Sequence, residues 1–209
     1  MDGLNVKDII DSYNQKANER NISHVQDWKK IERDLFLNFL KENNCINLLE
    51  LGAGPGRDSF FFKEQGLNTL STDISPEMVK LCREKGLAAE VMSFAKLNIP
   101  DVSYDSIWAL NCLLHVPKKE LKNVLKEIKR VLKPSGLFYF GVYGGEDFEG
   151  IWEDDPYEPK RFFSFYEDEA IKKILSEFFS IEYFKVIPRK VVGGNYHFQS
   201  IILRSKLGD

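Results

Sequence analysis

The chain has 209 residues, 43% of them hydrophobic and 29% charged, with a formal net charge of −3 at pH 7. That length and balance allow one large core and exclude a disordered chain. The slightly acidic sum gives no electrostatic reason to expect a nucleic-acid partner. No apolar run approaches the roughly 18 residues that a membrane span needs. Cys45, Cys82 and Cys112 lie too far apart for a disulfide frame or a zinc site, so no metal is expected. The polar, acidic stretch 1–11 does not read as a signal peptide, so a cytoplasmic protein is expected, as monomer or homodimer.

In chain order, a short helix is expected over 6–13 and a polar loop over 14–23. Val25, Trp28, Ile31, Leu35, Phe39 and Leu40 recur at helical spacing. A first strand follows at 46–51, then a helix at 59–65, closed by Gly66. A second strand over 67–72 is closed by Asp73. Ser75-Pro76-Glu77 has the order of a helix start, with a capping serine, a proline at the first helical position and an acid in the first turn. Short strands at 87–91 and 106–110 precede an amphipathic helix bearing Leu121, Val124, Leu125, Ile128 and Val131. Lys133-Pro134-Ser135-Gly136 turns that helix into a fifth strand, 137–143. The stretch 144–160 reads as a long loop. Ser164 and Glu167 have capping-box spacing ahead of a helix with Ala170, Ile171, Ile174 and Leu175. Two final strands, 181–188 and 196–204, are close enough for an antiparallel hairpin. Alternating strands and helices imply a parallel α/β sheet with helices on both faces.

The densest signal is Glu50-Leu51-Gly52-Ala53-Gly54-Pro55-Gly56. A strand runs into a turn of alternating glycines and then a helix, the arrangement that lets bare backbone approach a nucleotide-like ligand. Asp73 lies 21 positions after Gly52, at the end of the next strand, where a carboxylate can accept both ribose hydroxyls. A turn or helix-capping aspartate is the other reading of that residue. G-x-G-x-G differs from the G-x-G-x-x-G pyrophosphate fingerprint. Glu50 would repel a pyrophosphate but suits an ammonium group.

Together with Asp73-Ile74-Ser75-Pro76-Glu77-Met78 and Leu110-Asn111-Cys112-Leu113-Leu114-His115-Val116, this motif resembles the class I S-adenosylmethionine-dependent methyltransferases over 46–143. The resemblance implies a Rossmann-like, seven-stranded, mostly parallel sheet with an antiparallel last strand. It implies one domain over 1–209: a helical cap over the cofactor site at 1–44, a cofactor-binding core at 45–143, and an acceptor loop, helix and terminal hairpin at 144–209. The expected cofactor is S-adenosyl-L-methionine. Its contacts are expected from Tyr13, Glu50, Gly52, Ala53, Gly54, Gly56, Arg57, Asp73, Ile74, Met78, Ser93, Phe94 and Asn111. The family often places an aspartate near the adenine where this chain has Ser93, whose hydroxyl accepts the same bond more weakly.

His115 is the candidate general base, or else a backbone-tied histidine beside a helix start. Tyr143, Trp152, Arg161 and His197 are candidates for binding a small-molecule methyl acceptor. Arg161, among Phe162, Phe163 and Phe165, could hold a substrate carboxylate; the other reading is a surface guanidinium stacked on an aromatic ring. Two other readings compete with methyl transfer: a nicotinamide-dependent oxidoreductase, disfavoured by the glycine spacing and Glu50, and a non-catalytic cofactor-binding protein.

Overall fold

Strand-helix alternation from residue 47 onward builds a seven-stranded sheet in a computed structural model that describes residues 6–206. Two helices, α1 (Val6–Ile22) and α2 (Asp27–Glu42), precede β1 (Asn47–Leu51). Then come α3 (Arg57–Glu64), β2 (Asn68–Asp73), α4 (Pro76–Glu84), β3 (Ala88–Val91) and β4 (Tyr104–Leu110). A 3-10 turn at Leu113–His115 leads to α5 (Lys118–Val131) and β5 (Leu132–Gly144). The chain continues through β6 (Phe148–Ile151), β7 (Phe162–Phe165), α6 (Asp168–Ser176), β8 (Phe179–Ile187), α7 (Arg189–Val192) and β9 (His197–Ser205).

The sheet order is β3-β2-β1-β4-β5-β9-β8. β1 to β5 are parallel, and β9 inserts antiparallel between β5 and β8. This is the class I methyltransferase topology expected from the sequence, with the reversed last strand in place. Strand order reverses direction between β1 and β4, so the carboxyl ends of these strands border a crevice, the usual ligand position in open α/β sheets.

Side chains alternate between the two sheet faces, and each face has its own core. Ile107 and Ala109 of β4 join α5 residues Leu121, Leu125 and Ile128 on one face. Trp108 points to the other, where Phe36 of α2, Phe62 of α3 and Tyr139 of β5 enclose it. Trp108 and Tyr139 stack with centroids 3.9 Å apart. The Trp108 Nε1–H donates to Asp58 at 3.1 Å, and Arg33 pairs with the same carboxylate at 3.1 Å.

Ser75 caps α4 as expected, its Oγ accepting the Met78 N–H at 3.2 Å while donating to Asn14 Oδ1 of α1 at 2.6 Å. Ser75→Ala is expected to lower stability by about 1 kcal/mol, the usual worth of such a cap. A lower urea midpoint at unchanged slope would show it.

Three local expectations are corrected. The supposed loop at 14–23 continues α1 to Ile22, because 6–22 contains neither Gly nor Pro and its polar face is held by tertiary partners such as Ser75. The expected loop over 144–160 contains β6, which pairs antiparallel with β7 in a separate two-stranded sheet. Ser164 lies in β7 rather than capping a helix; α6 begins at Asp168 with Glu167 at its N-cap position. Among the described residues, no helix is long and apolar enough to cross a membrane.

Candidate functional site

The glycine turn leaves β1 in left-handed conformations, with φ of +61° at Gly52 and +54° at Gly54. A Cβ at Gly52 would lie 2.3 Å from Cys112 Cβ, so β1 and the segment after β4 approach each other only because that atom is missing. At Gly54 the nearest atom to such a Cβ is Arg20 Nη2, 3.9 Å away, so this backbone lies bare beside a cavity. The Gly54 N–H donates to Asp73 Oδ2 at 2.8 Å, and the Ser75 N–H donates to Oδ1 at 2.9 Å. The two motifs separated in sequence are thereby fastened together. Each Asp73 oxygen keeps capacity for a further donor. Burial raises the Asp73 pKa, opposed by its backbone donors and the Arg20 charge.

Three adjoining cavities run along the carboxyl ends of β1, β2 and β4. The first encloses about 760 Å³ including its mouth; Gly52, Gly54, Asp73, Ile74, Met92, Ser93 and Phe94 line it, and Tyr13 and Arg20 of α1 cover it. The second, about 720 Å³, lies over Glu50, Ala53, Arg57 and Asp58. The third, about 870 Å³, is walled by Tyr143, Trp152, Tyr157, Phe163 and Tyr196. Arg20 and Asn111 line all three. Asn111 has φ +57°, an unusual conformation for a non-glycine residue, and donates its N–H to Gly141 O at 2.8 Å. Its Oδ1 is buried without a hydrogen-bond partner among the described residues. Buried amide oxygens are rarely left so, and this one sits where the three spaces converge.

Glu50 is 4% exposed and accepts the Ser59 hydroxyl, which in turn accepts Ser71 Oγ at 2.7 Å. Burial, with Asp58 and Asp73 nearby, holds its carboxyl well above the usual range.

His115 is buried, and its two nitrogens are both committed. The Phe162 carbonyl can only accept, so Nδ1 carries the proton and donates at 2.7 Å. Nε2 then accepts the Tyr13 O–H at 2.7 Å. The Tyr13 oxygen accepts from Arg161 Nη1 at 3.0 Å. Arg161 forks onto Asp155 at 2.9 and 2.7 Å, and its guanidinium lies 3.6 Å from the Tyr157 ring centroid. Desolvation, aided by the Arg161 charge, pushes the His115 pKa down to about 3. Its folded value lies below the unfolded one, so the stability from the neutral ring is complete above pH ~6.5 and lost as pH falls toward that lower value. We expect the His115 ring nitrogens to show a single Nδ1–H tautomer, unchanged from pH 5 to pH 9, in ¹⁵N NMR. A transition within that range would contradict the assignment.

The structure gathers most of the sequence-nominated residues at this edge, but not all. Tyr13, Glu50, Gly52, Ala53, Gly54, Arg57, Asp73, Ile74, Ser93, Phe94, Asn111 and His115 line the first or second cavity. Tyr143, Trp152 and Arg161 line the third. Met78 is fully buried beneath α1, beside Ala17. Gly56 faces Cys82 and Leu87, where it serves packing. His197 lines none of the three; its Nε2 is 2.8 Å from Asp168 Oδ1 and its ring packs on Gly145. The sequence reading overlooked Arg20, Lys29 and Tyr157. Ile9, Tyr13 and Arg20 lie four and then seven residues apart, a helical stripe that was open to discovery.

Residues 49–140 match the family model described as a methyltransferase domain. An uncharacterised methyltransferase of Schizosaccharomyces pombe is 33% identical over 135 residues, which cover 61% of this chain and 50% of that protein. A sterol 24-C-methyltransferase of Aspergillus fumigatus is 32% identical over 108 residues, covering 47% of this chain and 27% of that one. The chain thus spans half or less of these relatives' length. Among solved structures, Burkholderia thailandensis 1,6-didemethyltoxoflavin-N1-methyltransferase, with 1,6-didemethyltoxoflavin and S-adenosylhomocysteine bound, superposes with a TM-score of 0.73 at 18% identity, covering 95% of this chain and 88% of that one. Residues 49–140, somewhat less than half of the chain, are thus similar to a methyltransferase domain, and the sheet order is the fold that this similarity implies.

Proposed function

We propose that this protein binds S-adenosylmethionine along the joined cavities and transfers its methyl group to a small molecule in the third. The observation that supports this most is the Gly54–Asp73 contact at the floor of a cavity that opens into two others at Arg20 and Asn111. The residues fit the group. Asp73 has free lone pairs for the two ribose hydroxyls. Ile74, Met92 and Phe94 offer apolar walls for adenine, with the Ser93 hydroxyl beside them. The second cavity offers the Arg57 guanidinium to the carboxylate of a zwitterionic amino-acid end and the carboxyls of Glu50 and Asp58 to its ammonium, whose approach favours the ionised form of Glu50. A pyrophosphate there would meet Glu50 and Asp58, which counts against the nicotinamide reading.

The bound cofactor supplies an electrophilic methyl on a sulfonium whose leaving group departs as a neutral thioether. The chain's own part is to orient and to exclude water. α1 covers the adenosine cavity with Tyr13 and Arg20, the capping role proposed for the amino-terminal helices. His115 holds Tyr13 in position through a fixed tautomer; neutral and doubly bonded, it is a positioning residue rather than a proton acceptor.

Incubation with methyl-labelled cofactor and a panel of small acceptors tests the reading. Label transfer to one acceptor class supports it. Failure of S-adenosylhomocysteine to bind at millimolar concentration would refute it, and binding without transfer across a broad panel would leave a cofactor-binding protein.

A further inference from the structure

The third cavity has an unbalanced electrostatic lining. Arg20, Lys29 and Arg161 contribute cationic groups, and none of its lining residues is an Asp or Glu. Arg161 is neutralised by Asp155, with which it pairs at 2.7 Å. Among the described residues, neither of the other two pairs with a carboxylate. Arg20 Nη1 donates to the Tyr157 hydroxyl at 3.1 Å, and its Nε is buried without a partner among the described residues. The Lys29 ammonium lies 5.3 Å from the Trp28 ring centroid, and no ion pair holds it among the described residues. Burial, reinforced by Arg20 and Arg57 and opposed by Asp58, lowers the Lys29 pKa to about 8, so it remains mostly charged at neutral pH. Desolvated charges without partners are costly unless a ligand supplies the counter-charge.

The neighbouring cavity accounts for only part of this excess. Arg57 lines the second cavity but not the third, and one carboxylate at the cofactor's amino-acid end needs one such partner. Lys29 borders both spaces and remains in surplus. The walls of the third cavity are aromatic: Trp152 and Phe163 meet edge to face with centroids 5.8 Å apart, and Tyr143, Tyr157 and Tyr196 complete the enclosure. Such walls suit a flat ring. A cationic acceptor would suit an aromatic cage, but here it would meet Arg20 and Lys29. The cavity's imidazole is engaged by Tyr13, so an acceptor that must lose a proton to a carboxylate or free histidine finds neither in the lining.

We propose that the methyl acceptor is a planar aromatic molecule carrying an anionic group, a carboxylate or an acidic phenolate, anchored by Lys29 between the aromatic walls. This rests on the methyltransferase reading above and specifies its acceptor. Lys29 is then a specificity-determining residue, which touches the acceptor's charge and not the reacting atoms.

Calorimetric titration of the protein saturated with S-adenosylhomocysteine tests it with three probes of matched size: 4-hydroxybenzoate, 4-hydroxybenzamide and tyramine. 4-Hydroxybenzoate is expected to bind at least about tenfold more tightly than the amide, the usual worth of a charge-assisted hydrogen bond, and tyramine most weakly. Lys29→Gln is expected to remove the carboxylate preference while changing S-adenosylhomocysteine affinity less than about threefold. Lys29→Arg, which keeps the charge, is expected to retain part of the preference. Equal affinity for the three probes, no measurable binding of 4-hydroxybenzoate, or a preference for tyramine would overturn the proposal. So would a Lys29→Gln variant that loses S-adenosylhomocysteine, since Lys29 would then serve the cofactor's carboxylate. If the wild-type protein fails to bind S-adenosylhomocysteine at all, the methyltransferase reading itself falls, and this proposal with it.

Discussion

Asp73→Ala is expected to weaken S-adenosylhomocysteine binding by about a hundredfold. Two effects combine. On the proposed binding mode the variant loses the acceptor for the ribose hydroxyls, and a hydrogen bond to a charged group contributes roughly 1.5–3 kcal/mol. It also releases the Gly54 N–H and the Ser75 N–H, now held at 2.8 and 2.9 Å, so the glycine turn loses its tether to β2. A buried donor left unsatisfied costs about 1–3 kcal/mol, so a fall in melting temperature is expected as well. Asp73→Asn separates the two contributions: its amide oxygen still accepts one backbone N–H, while its NH₂ cannot serve as acceptor for the other. Its stability is expected between those of wild type and the alanine variant, with cofactor affinity still reduced at least about tenfold. Calorimetry on variants shown to be folded by circular dichroism measures both. Unchanged affinity in Asp73→Ala would remove the ribose from this carboxylate.

The second large effect is at the turn itself. Gly52→Ala places a methyl 2.3 Å from Cys112 Cβ at a φ of +61°. The left-handed conformation costs about 1–2 kcal/mol in an alanine, and overpacking a closed contact adds about 1–3 kcal/mol. The sum, about 2–5 kcal/mol, corresponds to a drop of roughly 5–15 °C for a chain of this size. Gly54→Ala carries a comparable backbone penalty at φ +54° but meets nothing nearer than Arg20 Nη2 at 3.9 Å. It is expected to melt only a few degrees below wild type while losing cofactor affinity, because its methyl projects toward the space the ligand needs. Scanning calorimetry with and without S-adenosylhomocysteine distinguishes the pair. Equal melting temperatures would mean that Gly52 does not hold β1 and the segment after β4 together.

Much of the architecture was legible in the sequence because its signals are local. Strands buried on both faces read as short apolar runs, and the glycine turn and Ser75-Pro76 mark where helices begin. The reversed last strand was legible from the brief connection between 188 and 196. Less legible were the segments whose conformation depends on distant partners. The polar residues of α1 look loop-like in isolation; Tyr13 is polar because it faces His115 and Arg161, and Asn14 because it meets Ser75. β7 was hidden because Ser164 and Glu167 mimic a capping box, whereas pairing with β6 holds Ser164 in an extended strand. At the site, residues tied to the glycine motif were accessible to sequence reasoning, while Arg20, Lys29 and Tyr157 were not. These three come from α1, α2 and the stretch between β6 and β7, and only the folded chain brings them to one cavity.

A crystal structure of the protein grown with S-adenosylhomocysteine tests the proposed binding mode most directly. The ribose hydroxyls are expected on Asp73, adenine between Ile74 and Phe94, the amino-acid end over Glu50 and Arg57, and the sulfur at the junction lined by Arg20 and Asn111. Density for the ligand elsewhere, or a ribose turned away from Asp73 with the glycine turn in place, would contradict it.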